Sequence, residues 1–199
     1  MYRFYLAAVD MLPGAVLLAP VYFLLNRIYF HNAKKSILYY LFSCYLLVIY
    51  VLVGLPNVTY IRPELNLNLI PIIGIIDDWK NSILNILLFV PLGLMLPIVW
   101  SRFKSAGITV LFGFGMSLVI ELLQSLTFRA TDVNDLITNT CGTCLGFLCA
   151  KVLQKNFLSL NRIAQEETCE IGIVLVVVLL VMFFVYPFAS AALWDLILT

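Results

Sequence analysis

Six stretches of this 199-residue chain are long and apolar enough, or nearly so, to cross a bilayer, and only short polar connections join them. A crossing helix needs about 20 mostly apolar residues. The stretches run from Tyr5 or Met11 to Phe30, Ile37 to Leu55, Asn81 to Trp100, Gly107 to Phe128, Val133 to Leu153 and Ile171 to Ala192. Pro13 and Pro20 mark expected kinks in the first, and Pro91 and Pro97 lie in the third. The fifth is the most polar, because Asp135, Asn139 and three threonines fall in its first half. The expected fold is therefore all-α: a polytopic membrane bundle of about six transmembrane helices, read as one domain over residues 1–199. Charge supports this, since 12% of the residues are charged against roughly 25% in a soluble domain. That is too little for a water-facing shell.

Several classes fall away at once. A formal net charge of +1 and the lack of a dense Lys/Arg cluster exclude a phosphate-tracking nucleic-acid surface. Five cysteines, four of them in apolar runs, do not form a disulfide framework. Cys141 and Cys144 have metal-like spacing but no second pair and no nearby histidine, so they read as helix-packing residues. Neither a metal nor a cofactor is expected. No small-residue cleavage site follows the first apolar run, so that segment is expected to stay in the membrane.

Basic residues give an orientation. The connections after spans one, three and five hold Arg27, Lys34, Lys35, Arg102, Lys104, Lys151, Lys155 and Arg162, while Arg3, Arg62, Lys80 and Arg129 lie on the other side. Eight against four places both termini outside the cell. The apolar stretch 65–73 is too short to span, and reads either as a re-entrant element at the outer mouth or as a surface loop.

An ionisable side chain within a span costs roughly 2.5 to 3.5 kcal/mol on insertion scales, so it needs a partner or a function. Glu121 is the clearest case, with Ser117 one turn before it and Gln124 or Ser125 one turn after, on one helix face. Counted from Phe128 it lies about 10 Å deep, Asn139 lies at a similar depth from Asp132, and Asn85 lies about 6 Å below Asn81. Three spans thus carry polar groups to a similar level. Arg129 can pair with Asp132 or Asp135, and Asp132 with Asp135 also fits a helix N-cap followed by an acidic third position. Gly142 and Gly146 allow close helix approach. These residues describe an outward-facing polar pocket with Glu121 at its floor. A carboxylate in such surroundings suits general acid–base chemistry, proton carriage or a bond to a neighbouring helix.

The blocks Asn68-Leu-Ile-Pro71, Asn85-Ile-Leu-Leu-Phe-Val-Pro91-Leu-Gly93 and Ser117-Leu-Val-Ile-Glu121-Leu-Leu-Gln124 carry a resemblance. So does Arg129-x-x-Asp132-x-x-Asp135-x-x-x-Asn139-Thr-x-Gly142-x-x-x-Gly146. Together they resemble the VanZ-like family of bacterial membrane proteins, which is associated with low-level resistance to the lipoglycopeptide teicoplanin. The resemblance implies a core over about 37–153, with added helices at 5–30 and 171–192, and a bacterial cell-membrane setting. It implies functional candidates at Asn85, Glu121, Gln124, Arg129, Asp132, Asp135 and Asn139.

Three functions stay open. The first is a non-enzymatic envelope protein that binds or moves a lipid-linked cell-surface molecule or a glycopeptide, with Arg129 suited to a phosphate or carboxylate. The second is an intramembrane transferase or hydrolase on a lipid-linked precursor, with Glu121, Asp132 or Asp135 as catalytic candidates. Against it stand the lack of an obvious covalent nucleophile and the position of the only histidine, His31, on the expected cytoplasmic side. The third is a membrane scaffold.

Overall fold

The computed structural model describes residues 2–63, 67–68, 78–127, 131–157 and 169–198, with side chains from residue 9 onward except at 67–68 and 169. Six of its helices are long and apolar enough to cross a membrane: Val9–Phe30, Ala33–Val53, Trp79–Val99, Ala106–Gln124, Val133–Asn156 and Glu170–Leu198. The chain is a multi-pass helical membrane protein. It groups into two compact units, Met1–Ile61 with Cys169–Thr199, and Arg62–Thr168.

In the first unit, α1 (Tyr2–Leu25) ends in a π-helical turn, Asn26–Phe30, which His31 closes with a positive φ of 48°. Asn32 caps α2 (Ala33–Val53) by accepting the Lys35 N–H at 3.2 Å, and Gly54 (φ 69°) ends it. Positive φ costs glycine little, so the sharp stop after Val53 falls where the sequence allows it. The last span is α6 (Cys169–Leu180), a π turn (Val181–Val185) and α7 (Tyr186–Leu198). It reaches Leu198 rather than stopping near Ala192. Two polar ties hold this span. Glu170 pairs with Lys35 at 2.6 Å and accepts the Tyr39 hydroxyl, while Asp10 accepts from Trp194 Nε1 at 2.7 Å and from Ser190 at 3.1 Å.

The second unit is built from α3 (Trp79–Val99), α4 (Ala106–Gln124) and α5 (Val133–Asn156). A 3₁₀ turn at Ser101–Lys104 joins the first two. Leu87, Leu111, Leu122, Leu148 and Val152 are exposed, whereas Ser82, Ser117, Glu121, Asn139, Thr143 and Gln154 are buried. That is the reverse of a soluble bundle. With lipid as the solvent, apolar side chains face outward and polar ones must find partners inside.

Small residues allow the helices to meet. A Cβ at Gly142 would overlap the Ile86 carbonyl, one at Gly146 the Val90 carbonyl, and one at Gly93 the Thr143 carbonyl. Backbone therefore meets backbone along α3 and α5, which run in the same direction, as the expected packing role for Gly142 and Gly146 requires. At the far end, the Gln154 amide donates to the Pro97 carbonyl at 2.9 Å, capping a last-turn acceptor of α3.

Among the described residues the only strand pairing is a two-residue parallel one. Leu67–Asn68 (β1) lies beside Thr131–Asp132 (β2), and Arg62 bridges to Thr127 in the same sense. Arg62 and Leu67–Asn68 thus lie beside Thr127 and Thr131–Asp132, next to the end of α4 and the start of α5. Apart from β1, the stretch 65–73 lies outside the described residues.

Candidate functional site

Helices α4 and α5 are antiparallel, and their polar residues pair in steps of one turn. A Cβ at Gly113 would overlap the Thr143 hydroxyl, and one turn along α4 the Ser117 hydroxyl receives the Asn139 amide at 2.9 Å. One more turn brings Glu121, which is 2% exposed. Its Oε2 accepts the Asp132 backbone N–H at 2.9 Å, and its carbonyl accepts the Thr131 hydroxyl at 3.1 Å.

Asp132 is the N-cap of α5. Its Oδ1 accepts the Asn134 N–H and the Asn134 side-chain amide, both at 2.8 Å. Of the two roles left open by the sequence, the structure shows the capping one directly, with Asp135 in the first turn as the dipole favours. Glu121 meets the same helix start, so its carboxylate lies where the positive end of α5 stabilises negative charge. Gln124 is buried in the last turn of α4, and its carbonyl accepts both the N–H and the hydroxyl of Thr127. Arg129 lies outside the described residues.

The expected depths are corrected in one respect. α4 ends at Gln124, not near Phe128, because Ser125, Leu126 and Thr127 fold into a turn on the carbonyls of Glu121, Leu123 and Gln124. Glu121 is thus about 4–5 Å from its helix end rather than about 10 Å. Asn139 is one turn deeper and pairs with Ser117 instead. Asn85, in turn, sits as far along α3 from its capping Asp78 as Asn139 sits along α5 from Asp132. The level pair is therefore Asn85 and Asn139.

These two asparagines share a second property. Asn139 is 4% exposed, and its Oδ1 has no hydrogen-bond partner among the described residues. The same holds for the buried Nδ2 of Asn85. One is an acceptor and the other a donor. Most buried polar atoms are satisfied, so two orphans of opposite kind in one helix trio need an explanation.

Sequence reasoning did not single out Asn134, which is 3% exposed and holds Asp132, or Thr143, whose hydroxyl bonds the Asn139 carbonyl at 3.1 Å. An Asp–x–Asn start to a span was the available signal for the first. Cys141 and Cys144 are free thiols on the exposed face of α5.

Residues 36–154, from the first turn of α2 to the last turn of α5, match the family model described as VanZ/LLP1. Protein VanZ of Enterococcus faecium is 33% identical over 124 residues, covering 61% of this chain and 71% of that protein. No solved structure matches the chain.

Proposed function

The chain belongs to the VanZ/LLP1 family of bacterial membrane proteins, and from that premise we propose that it handles a lipid-linked cell-surface molecule or a glycopeptide antibiotic without covalent chemistry. In this reading the polar core of α3, α4 and α5 opens outward as the binding pocket. The family's association with teicoplanin resistance sets the phenotype: the protein lowers sensitivity to lipoglycopeptides at the cell envelope.

The observation that carries the reading is the orphan pair, Asn85 Nδ2 and Asn139 Oδ1. A core built only to lock helices gains nothing from an unmatched donor and an unmatched acceptor, since each costs about 1–3 kcal/mol when left unmade. In this reading a ligand supplies the missing acceptor and donor, as a hydroxyl or an amide can. Asp132 and Asp135 at the start of α5, with Glu121 of α4 bonded to that start, supply charge at the mouth, and Arg129 suits a phosphate or carboxylate by its chemistry.

The test compares Asn85→Leu with Glu121→Gln in a membrane-inserted protein. Binding predicts that both lose protection against teicoplanin, while Asn85→Leu unfolds at the same temperature as the parent or above it. A purely structural core predicts that function and thermal stability fall together. Lipids retained through detergent purification and identified by mass spectrometry check the ligand class; bulk phospholipid alone would count against a lipid-linked one. Outward orientation of the α4–α5 connection predicts that Thr131→Cys, in a cysteine-free background, reacts with an impermeant thiol reagent on whole cells. Reaction only after lysis would reverse it.

A further inference from the structure

The first unit carries a recess of ≈ 310 Å³ between α1 and α2, at the end of the hairpin closed by the Asn26–Phe30 turn. That volume is at the lower end of ligand-sized cavities, roughly 300–1,000 Å³. Its apolar walls are Ala19, Phe23, Ala33 and Ile37, all exposed. The two alanines leave the gap that larger side chains would fill.

Its polar lining residues are already engaged. Tyr22 bonds Ser43 at 2.6 Å, the Ser36 hydroxyl donates to the Tyr22 carbonyl at 3.0 Å, and the Tyr40 hydroxyl donates to the Ala15 carbonyl at 3.2 Å. Asn26 Oδ1 accepts the Asn32 N–H at 3.0 Å. Tyr22 and Tyr40 meet edge to face at 6.1 Å, so they present ring surface. The recess therefore offers hydrocarbon contact rather than a set of waiting hydrogen bonds, which suits an acyl chain and not a sugar.

Charge at the mouth fits the other end of such a molecule. Arg27 and Lys34 directly follow the lining residues Asn26 and Ala33, both are exposed, and neither has an ion-pair partner among the described residues. Lys35 does not join them, because Glu170 neutralises it in a buried pair. The positive end of α2 lies at the same place. We infer that the α1–α2 hairpin binds one anionic phospholipid, with an acyl chain in the recess and its phosphate against Arg27 and Lys34. Basic residues beside apolar surface at a membrane interface select anionic over zwitterionic lipid.

The experiment uses the full chain in nanodiscs of equal phosphatidylglycerol and phosphatidylcholine, followed by native mass spectrometry of the released protein. The parent should keep one phosphatidylglycerol in clear excess over phosphatidylcholine. Arg27→Gln and Lys34→Gln should each lower that preference about fivefold, while the charge-keeping pair Arg27→Lys with Lys34→Arg retains it. Filling the recess with Ala19→Leu or Ala33→Leu should reduce retention of phosphatidylglycerol. Both alanines are exposed, so unfolding temperature should not move, and either variant can stand in for the other. A parent ratio equal to that of the bulk lipid overturns the inference. So does unchanged retention in the filled variants, which would leave only lipid gathered loosely around two surface cations.

Discussion

Glu121 Oε2 accepts the backbone N–H of Asp132 at 2.9 Å, so the last turn of α4 is tied by a carboxylate to the capping residue of α5. The bond joins two spans through the short connection between them. It also brings a buried carboxylate to the start of α5, where backbone amides point outward without intrahelical partners.

Removing that carboxylate should cost more than neutralising it. Glu121→Ala leaves the Asp132 N–H without its acceptor, at a cost of about 1–3 kcal/mol. Glu121→Gln keeps an amide oxygen in place and should lose less than half as much. Thermal unfolding of the purified protein in detergent checks the order; equal losses would show that charge, and not the acceptor, holds the turn.

Asp132 should behave as a cap. Asp132→Ala is expected to destabilise by about 1 kcal/mol, and Asp132→Asn, which still accepts from Asn134, by a few tenths. Hydrogen exchange over residues 133–136 reports the effect locally. Uniform protection across the parent and the two variants would rule out the capping role.

Close approach of α3 and α5 makes the glycines sensitive to single methyl groups. In Gly146→Ala the new Cβ overlaps the Val90 carbonyl, and backbone cannot move aside as a side chain does. The helices must separate, at about 1–3 kcal/mol. Gly115→Ala, whose Cβ meets open space, should be neutral or stabilise by up to about 1 kcal/mol through helix propensity alone. The pair of variants, compared by unfolding temperature in one detergent, separates contact from propensity.

How much of this was legible follows from what each signal depends on. Span number and rough position are set by runs of apolar residues, because lipid demands them wherever they occur. The α3–α5 interface was readable at Gly142 and Gly146, where spacing alone puts two small residues on one face. The end of α4 was not, because Leu126 and Phe128 keep the sequence apolar past Gln124 and hydropathy does not register the turn on Ser125. The pairing of Asn139 with Ser117 rather than with the level of Glu121 followed from that same boundary. Lys35 and Glu170 were invisible for a different reason: they are 135 positions apart, each near the end of a span, where a charge is ordinarily solvated.

That buried pair supports the sharpest stability test outside the candidate site. Lys35 is 8% exposed and Glu170 1%, and Tyr39 donates to the carboxylate, so neither charge has water to fall back on. Removing one partner strands the other, and such losses are about 3–5 kcal/mol. Lys35→Met and Glu170→Leu should therefore each weaken the hold of the last span on α2. Removing both charges together leaves no ion to desolvate, and a packed apolar replacement is often neutral or stabilising. The double variant should recover most of the parent's unfolding temperature. In a double-mutant cycle the two losses then fail to add, with a coupling of about 0.5–3 kcal/mol. Additive losses would show that the two side chains act separately.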